Sequence, residues 1–486
     1  MSSDLLRRAR HALATTCIAF AAAAAQAATL NVINIDDPGV GFNDPTPVAP
    51  VGGNPGTTVG EQRQIVFAYA ADFWGRRLRS DVPIDILATF APLPCSASGG
   101  VLGAAGAWNV FSDFPNGRPG TWYPSALANK LAAVKLEPNP DPFVSADIVS
   151  FFNGDLGKPG CLTGLNFYLG LDGKAGANDI DLLTTVLHEF GHGLGFQTFT
   201  DDATGEEFPG PDYADLQFPS IWDYYLLDPQ QRKTWAQMTT QERATSAITP
   251  RNLVWNGREV TRNAPRVLQR GTPDLFIAGG GINDFLLLGP AEFGPPIDRR
   301  TLVSAPLARV VDQATGAGLA CTPLDKANAA AVAGKVALID RGSCPFTVKV
   351  KNAQLAGAKA VLVADNAAGS PPLNLAGADA SITIPSARIT KDDGARLKAA
   401  ISATPKGRIA PLAVLFQNPL KLAGADYLQR LFMFTPNPNQ PGSSVSHFDT
   451  LATPNLLMEP FASDNQAIAV SPPSDLTLQL LLDIGW

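Results

Sequence analysis

The residues best suited to chemistry are two histidines and a glutamate in the sequence LHEFGHGLG. His188 and His192 are four residues apart, so on a helix both imidazoles lie on one face and can bind the same ion. Glu189 would then lie beside the open position of the site. A zinc ion held there would lower the pKa of a bound water to about 7, and Glu189 would accept the water's proton and pass it to a leaving amine. The pattern therefore predicts peptide hydrolysis with Glu189 as the catalytic residue.

A third metal ligand has to come from elsewhere, because catalytic zinc sites commonly have three protein ligands and a water. The chain has four histidines, and His447, in GSSVSHFDT, is the one outside both this motif and the first 27 residues. We expect His447 to complete the site. A carboxylate from Glu206 or Glu207 is the alternative, but the Gly and Pro residues of DDATGEEFPGPDY argue against the helix that such a ligand needs.

The motif needs a helix to hold it, and hydrophobic spacing predicts one over 179–194, with Asn178 or Asp179 as the N-terminal cap. Another helix is expected over 61–78, and a short one within 475–486. The strand candidates are 82–90, 146–154 and 166–171. We also expect an edge strand above the motif helix, within 146–154, to pair with extended substrate.

Two blocks of the sequence resemble leishmanolysin-type metzincins. Members of that family keep HExxHxxG, insert a long segment, and supply the third histidine shortly before a Met-turn. The matching positions are His188, Glu189, His192 and Gly195 in the first block, and His447 and Met458 in the second. The shorter metzincin pattern would place its third ligand at position 198, where this chain has Thr198.

The resemblance implies a fold and roles for individual residues. It implies an α+β, metzincin-like zincin domain that holds one Zn²⁺ per chain. Gly195 would let the chain turn away from the helix, and Met458 would form an apolar floor beneath the metal without ligating it. The segment between Gly195 and His447 is much longer than in the simpler members of the family.

Residues 301–411 have a different pattern, in which short β-rich runs alternate with helical ones. This segment resembles a protease-associated (PA) domain in Asp340-Arg341-Gly342, Cys344, Phe346 and Lys349. The resemblance implies a non-catalytic α/β module near an active site, and an ordinary βαβ unit is the alternative. The module contains no histidine, so a second catalytic centre is not expected there.

The N-terminus has the pattern of an export signal. Arg7, Arg8 and Arg10 precede an uncharged stretch over 12–25, and Ala25-Gln26-Ala27 is a small-x-small cleavage sequence. We therefore expect a secreted protein, extracellular or periplasmic, with no membrane span once the signal is removed. The apolar stretch is shorter than the roughly 20 residues that span a bilayer.

Four cysteines remain after such a signal, and an oxidising compartment favours disulfides between them. Three pairings are possible. We prefer Cys95 with Cys161 and Cys321 with Cys344, because each pair then closes within one expected domain.

Composition limits the partners. The formal net charge is −7 and no basic run appears, which argues against nucleic acid and leaves protein or peptide substrates. The Asp-rich loops at 171–181 and 201–207 could bind Ca²⁺, but neither follows the EF-hand spacing, so calcium is unsupported.

The predicted function is that of a secreted zinc metalloendopeptidase. Two alternatives are a zinc-bearing adhesion or binding protein and an exopeptidase. Glu189 argues against the first, since a structural zinc site needs no base; exopeptidases with PA domains usually hold two metals and more carboxylates. The predicted organisation is a signal peptide (1–27), an N-terminal arm (28–60), the first part of the metallopeptidase domain (61–300), the PA domain (301–411) and the second part of the metallopeptidase domain (412–486).

Overall fold

The computed structural model describes residues 27–210, 217–311, 318–463 and 466–486. The expected export signal therefore lies outside the described residues, except for Ala27. None of the helices in these ranges is both long and apolar enough to cross a membrane.

The described residues form ten α-helices. In chain order they are α1 (Val59–Gly75), α2 (Ser125–Ala132), α3 (Pro142–Ser145), α4 (Leu182–Gly193), α5 (Thr240–Ala247), α6 (Arg258–Val267), α7 (Lys326–Val332), α8 (Phe346–Leu355), α9 (Lys391–Ala403) and α10 (Thr477–Ile484). Short 3₁₀ helices cover Gly41–Asn43, Ile221–Tyr224 and Trp235–Gln237.

The strands of the described residues fall into two main sheets and several short pairs. They are β1 (Leu30–Asn34), β2 (Ile84–Ala91), β3 (Gly103–Ala107), β4 (Val110–Phe111), β5 (Tyr123–Pro124), β6 (Ile148–Asn153), β7 (Asn166–Tyr168), β8 (Asp179–Asp181), β9 (Phe208–Pro209), β10 (Gln217–Phe218), β11 (Leu226–Asp228), β12 (Lys233–Thr234), β13 (Val254–Trp255), β14 (Arg270–Gly279), β15 (Ile282–Leu286), β16 (Gly289–Pro290), β17 (Leu302–Arg309), β18 (Val336–Asp340), β19 (Ala360–Ala364), β20 (Ser386–Ile389) and β21 (Leu412–Leu422).

The first main sheet has four strands in the order β1-β2-β6-β3. β1, β2 and β6 are parallel, and β3 pairs with β6 in the antiparallel direction. The prediction that residues 28–60 form an extended arm or loop is wrong for Leu30–Asn34, which form β1. The many Gly and Pro residues of this segment favour a loop, so the short run LNVIN does not stand out as a strand in the sequence. The expected edge strand is also misplaced: β6 has a neighbour on each side, so the edge strand is β3.

Helix α1 packs against the motif helix α4. It begins with a capping box, in which the Glu61 N–H donates to the Thr58 hydroxyl (3.1 Å) and the Thr58 N–H donates to Glu61 (3.2 Å). Val66, Phe67 and Trp74 are fully buried on one face of the helix. The Trp74 indole N–H donates to the Leu187 carbonyl (3.1 Å), one residue before the motif.

Helix α4 begins at Leu182, later than expected. Its cap is Asp181, whose carboxylate accepts from the Thr184 N–H (2.8 Å), and not Asn178 or Asp179. Residues 179–181 form β8, paired with β7, so the extended chain continues up to the cap. At the other end Gly195 has φ +121°, a conformation that favours glycine, and the chain turns away from the helix there.

The second main sheet has eight strands in the order β15-β14-β21-β17-β18-β19-β20-β16. The four adjacent strands β17 to β20 are parallel. β21, β14 and β15 on one side and β16 on the other extend the sheet in the antiparallel direction. Apolar residues are buried on both faces. One face includes Leu338 and Leu362 and the other Ile339 and Val361. The sheet is therefore wider than 301–411, since β14 to β16 precede that range and β21 follows it.

One core joins the two parts of the chain that flank this sheet. It contains residues from Ala28 to Trp486, among them Leu187 of α4 and Leu481 of α10. The Trp486 indole N–H donates to the Leu194 carbonyl at the end of the motif helix (2.7 Å). The C-terminal segment is thus fixed directly to the element that carries the expected chemistry.

Candidate metal centre

The structure brings His188, His192 and His447 to one point. The Nε2 atom of His192 lies 3.1 Å from that of His188 and 3.2 Å from that of His447, and the latter two are also 3.2 Å apart. His188 and His192 come from adjacent turns of α4, whereas His447 lies in a hairpin in which Met433 pairs with Phe448. Within the described parts of the chain, this is the one group of three or more potential ligands that could hold a metal ion.

Hydrogen bonds at the far side of each ring decide which nitrogen is free. The Nδ1 atoms of His188, His192 and His447 lie 2.7–2.8 Å from main-chain carbonyl oxygens of Leu457, Phe196 and Ser443. A carbonyl can only accept, so each Nδ1 carries the proton and each Nε2 is a bare lone pair. Three lone pairs within 3.2 Å of one another have no donor between them, which is the donor set that a cation requires.

The spacing suits zinc. Tetrahedral nitrogen ligands at about 2.0–2.1 Å from a zinc ion lie about 3.3–3.4 Å from one another, close to the distances found here. Burial lowers the pKa of His188 to about 4 and of His192 to about 3, and lowers that of His447 well below its usual value. The imidazoles are therefore neutral at ordinary pH, the form in which they ligate metals.

Glu189 lies beside the imidazoles and beneath the edge strand β3. Its side chain is buried, and burial raises the pKa of its carboxyl to about 8, while the Ala105 N–H acts in the opposite direction. A Cβ added to Gly103 would lie 2.8 Å from both Cγ and Oε1 of Glu189. Only a glycine lets the strand approach the carboxylate this closely. A nearby cation would stabilise the ionised form and lower the pKa of Glu189.

Met458 lies against the motif helix. A Cβ on Gly191 would be 2.8 Å from the Met458 sulfur, and the Met458 side chain has no exposed surface. The Met458 carbonyl accepts from the Phe448 N–H (2.8 Å), next to His447. The segment around Met458 is thus packed under both halves of the histidine cluster.

A buried carboxylate supports the same segment. Asp475 accepts from the Leu457 N–H (2.6 Å) with one oxygen and from the Thr477 N–H (2.7 Å) with the other. The Leu457 carbonyl in turn accepts from His188, and also from the Gln466 amide (2.9 Å). Asp475 therefore holds the main chain of Leu457 at its N–H, and the carbonyl oxygen of the same residue orients the His188 ring.

Thr198, at the position where the shorter metzincin pattern has its third ligand, lies next to the segment that carries His447. The Thr198 N–H donates to the Ser446 hydroxyl (3.3 Å), so the chain after α4 touches the residue next to His447. The Thr198 hydroxyl is used elsewhere, because it donates to Asp223 (2.8 Å).

The alternative carboxylate ligands have other roles. Glu207 forms an ion pair with Arg243 (2.9 Å), and Glu206 is exposed. In the Asp-rich loops Asp172 accepts from the Tyr168 hydroxyl (2.7 Å), and Asp201 accepts from main-chain N–H groups of its own turn.

Two disulfides are present, Cys95–Cys161 and Cys321–Cys344, with Cα–Cα distances of 5.0 and 5.7 Å. This is the pairing preferred from the sequence. The first joins the loop after β2 to the loop after β6, two adjacent parallel strands of the four-stranded sheet. The second lies within the domain built on the eight-stranded sheet, called the inserted domain below. It joins the segment before α7 to the segment before α8.

Sequence reasoning missed three residues of the site. Gly103 lies in GAAGA, whose small residues have low β-propensity and gave no strand signal. Asp475 precedes an apolar helix, which is a usual place for a capping residue. Nothing in the sequence links it, or Gln466, to residue 457.

Comparisons with known proteins cover parts of the chain. A family model of the PA domain matches residues 303–397, so the chain contains a PA domain. Vacuolar-sorting receptors 3 and 4 of Arabidopsis thaliana are each 51% identical over 73 residues, which is 13% of this chain and 12% of the receptor. A probable lipoprotein aminopeptidase of Mycobacterium tuberculosis is 36% identical over 109 residues, 22% of this chain and 20% of its own length. The chain thus spans a fifth or less of the length of these relatives.

Solved structures give partial similarities. A zinc aminopeptidase from Bacillus subtilis is 26% identical, with 31% of each chain covered and a TM-score of 0.22. A peptidase M28 precursor from Shewanella amazonensis is 13% identical, with 36% of this chain and 46% of that chain covered and a TM-score of 0.21. At such TM-scores the similarity says nothing about the fold or the reaction of this chain.

Proposed function

We propose that the protein is a secreted zinc-dependent endopeptidase of metzincin type. The observation that supports this most is the convergence of three Nε2 lone pairs beside a buried carboxylate that is not one of the ligands. His188, His192 and His447 would hold one zinc ion, and Glu189 would serve as general base and then as general acid.

Zinc, when bound, supplies a Lewis acid that lowers the pKa of a coordinated water and polarises the scissile carbonyl. Glu189 accepts the proton of the attacking water on its carboxylate and donates it to the leaving amine. The Ala105 N–H holds that carboxylate from the strand above, and Gly103 leaves the space that it occupies. The three Nδ1–H groups keep the imidazole rings oriented throughout, because each remains bonded to its carbonyl.

The substrate would lie along β3. An edge strand has main-chain N–H and C=O groups without a partner strand, and an extended peptide can add to it as a further strand. β3 meets both requirements of such a site, because it is the edge strand of its sheet and it lies directly above Glu189. An arrangement that fixes the main chain on both sides of the scissile bond favours internal cleavage.

The assignment to the leishmanolysin-type metzincins is supported by three local features of the structure. Gly195 turns the chain out of α4, Met458 packs beneath the motif at Gly191, and Thr198 contacts the residue beside His447. The two disulfides suit an oxidising compartment and support the proposal of export.

The function is tested by Glu189→Gln. Glu189 does not ligate the metal in this account, so the variant should retain zinc while it loses the proton shuttle. General acid–base groups contribute about 10² to 10⁴ in rate, and a loss at or above the upper end is expected because one residue serves both steps. Cleavage of casein, read by mass spectrometry with and without a chelator, measures this. The exposed Glu137→Gln is the matched control.

The products separate the proposal from its rivals. Internal cuts that disappear with chelator and with Glu189→Gln support the endopeptidase. Release of single terminal residues would show an exopeptidase. If zinc-loaded wild type cleaves no member of a broad peptide library, the protein is a zinc-bearing binding protein and the proposal is wrong.

A further inference from the structure

The edge strand β3 offers a substrate its main chain and almost no side chains. Its sequence is GAAGA, so no side chain of Gly103–Ala107 is larger than a methyl group. Two larger exposed side chains flank the strand: Val101 is 39% exposed and Trp108 is 40% exposed. Because the indole ring is much the bigger of the two, selection among substrate side chains along this edge has to come mainly from Trp108.

Hydrogen bonds to the neighbouring segment show which main-chain groups of β3 face outward. The Trp108 N–H donates to the Asp147 carbonyl, directly before β6 (2.8 Å). Main-chain groups alternate between the two sides of a strand, so those of Ala107 and Ala105 point away from β6. In the described part of the chain this is the free edge of the sheet. The Ala105 N–H, on this edge, is hydrogen-bonded to the Glu189 carboxylate.

The contact between Ala105 and Glu189 fixes where along β3 a peptide bond would be cut. Trp108 follows Ala105 by three positions, which is about 10 Å at a rise of about 3.3 Å per residue. A peptide that adds to β3 as a further strand therefore places a side chain beside Trp108 about three residues from the cut bond. Neighbouring side chains on adjacent strands have Cβ atoms about 4.5–5.5 Å apart, so this side chain contacts the indole ring.

The indole ring of Trp108 is held in place from one side. Its N–H donates to the Phe143 carbonyl in α3 (2.9 Å), and the amide of the next residue, Asn109, donates to the Val144 carbonyl (3.2 Å). The polar atom of the ring is thus already bonded, and the exposed surface that remains is apolar. A ring fixed in this way loses little conformational freedom when a ligand packs on it.

We propose that Trp108 determines the specificity of the enzyme by selecting substrates with a large apolar side chain about three residues from the cut bond, on the side towards which β3 runs. The proposal rests on the proposed function, in which the substrate lies along β3. It adds the chemical class of the substrate residue and the side chain that recognises it.

The test measures binding without cleavage, in the full-length, zinc-loaded Glu189→Gln protein. The probe is a fluorescently labelled peptide of Thr and Ser residues with a single Leu, compared by anisotropy with counterparts that have Ala or Lys in place of Leu. We expect the Leu peptide to bind about tenfold more tightly than the Ala peptide, because a large apolar side chain becomes buried. Trp108→Ala should bring the two affinities to within about twofold of each other. Tyr69→Ala, which removes an aromatic ring of equal fractional exposure on α1, is the matched control and should keep the preference.

A second variant separates recognition from a structural role. Trp108→Phe keeps an aromatic surface and loses the indole N–H, so it should keep most of the preference for Leu. If Trp108 only holds the end of β3 through its N–H, Trp108→Phe behaves like Trp108→Ala, and the proposal is wrong. A preference for Leu that survives in Trp108→Ala also overturns it, as does a parent that prefers Lys or that binds the Leu and Ala peptides equally.

The active protein provides a readout of position. Moving the Leu by one residue along the peptide should move the cut by one residue in the wild type, and Trp108→Ala should lose this dependence. A cut that stays in place when the Leu moves contradicts the role of Trp108. A wild type that prefers the Leu peptide in binding and yet cleaves nothing contradicts the proposed function alone, because the anisotropy measurement does not depend on catalysis.

Discussion

In the inserted domain every residue of β19 is buried, whereas every residue of β3, above the metal site, is at least partly exposed. β19 is AVLVA and has apolar clusters on both faces, so burial of side chains holds it in place. β3 is GAAGA, and its position depends on main-chain pairing with β6 and on close approach to α4. The inserted domain is thus stabilised by its core, and the metal site is shaped by backbone contacts.

The polar groups differ in the same way. Buried charges in the inserted domain are paired, as Asp365 is with Arg341 and Arg388. Around the candidate metal site Glu189, Asp475 and Glu459 are buried and form no ion pair with any residue that the structure describes, and burial raises their pKa values to about 8, 6 and 8. Groups kept in such an environment are typical of functional sites.

The largest effect is expected when the inserted domain is expressed as two fragments of different length, of which only the longer one should fold. A fragment of residues 269–423 contains all eight strands and both apolar faces, so we expect it to melt cooperatively by circular dichroism and to retain Cys321–Cys344. A fragment of 301–411 lacks β14, β15, β16 and β21 and leaves Leu338 and Leu362 less covered, so it should not melt cooperatively. Equal stability of the two fragments would show that the added strands contribute nothing.

A smaller effect is expected for Gly103→Ala. The new Cβ would overlap Glu189 at 2.8 Å, and a catalytic group displaced by about 1 Å can cost about 10²-fold in rate. We expect kcat/KM for a peptide to fall by about that factor, with zinc content unchanged. Gly106→Ala on the same strand is the control, because its Cβ would meet only the flexible end of Gln197, at 3.1 Å. Full activity of Gly103→Ala would mean that β3 does not position Glu189.

The smallest of these effects is expected for Asp475→Asn. An asparagine can accept with only one of its two terminal atoms, so either Leu457 or Thr477 loses its acceptor, and the carbonyl that orients His188 shifts. Residues that support a metal ligand typically contribute about 10- to 100-fold to metal affinity. Competition with a chelator should show a weakening of that size. Asp483→Asn, on the helix that follows Asp475 but bonded to Trp255 and Glu259, should not weaken zinc binding; equal effects of the two variants would reduce Asp475 to a general stabilising role.

The same difference between the two regions decides how much of the structure the sequence predicts. Strands such as β18 and β19 are predicted by their runs of β-branched and aliphatic residues. The helix that carries His188 and His192 is a local feature, and its i, i+4 spacing is visible in one dimension. His447 was found through the small number of histidines and the family resemblance, not through local pattern.

The features that the sequence does not predict depend on contacts between distant segments. Asp475 acts through the main chain of Leu457, and Gly103 acts through a backbone approach to Glu189, 86 positions later in the chain. Neither leaves a periodic signal. The strands that widen the inserted sheet were missed for a related reason, because β14 pairs with β21 across more than a hundred residues.

The most direct test of the metal centre is the zinc content of purified protein, measured by elemental analysis for wild type, His188→Ala, His447→Ala and Glu189→Gln. If three imidazoles hold the ion, wild type and Glu189→Gln contain one zinc per chain, and His447→Ala loses zinc as completely as His188→Ala, although His447 is separated from the motif by the whole inserted domain. Undiminished zinc in His447→Ala would contradict the account and place the third ligand elsewhere.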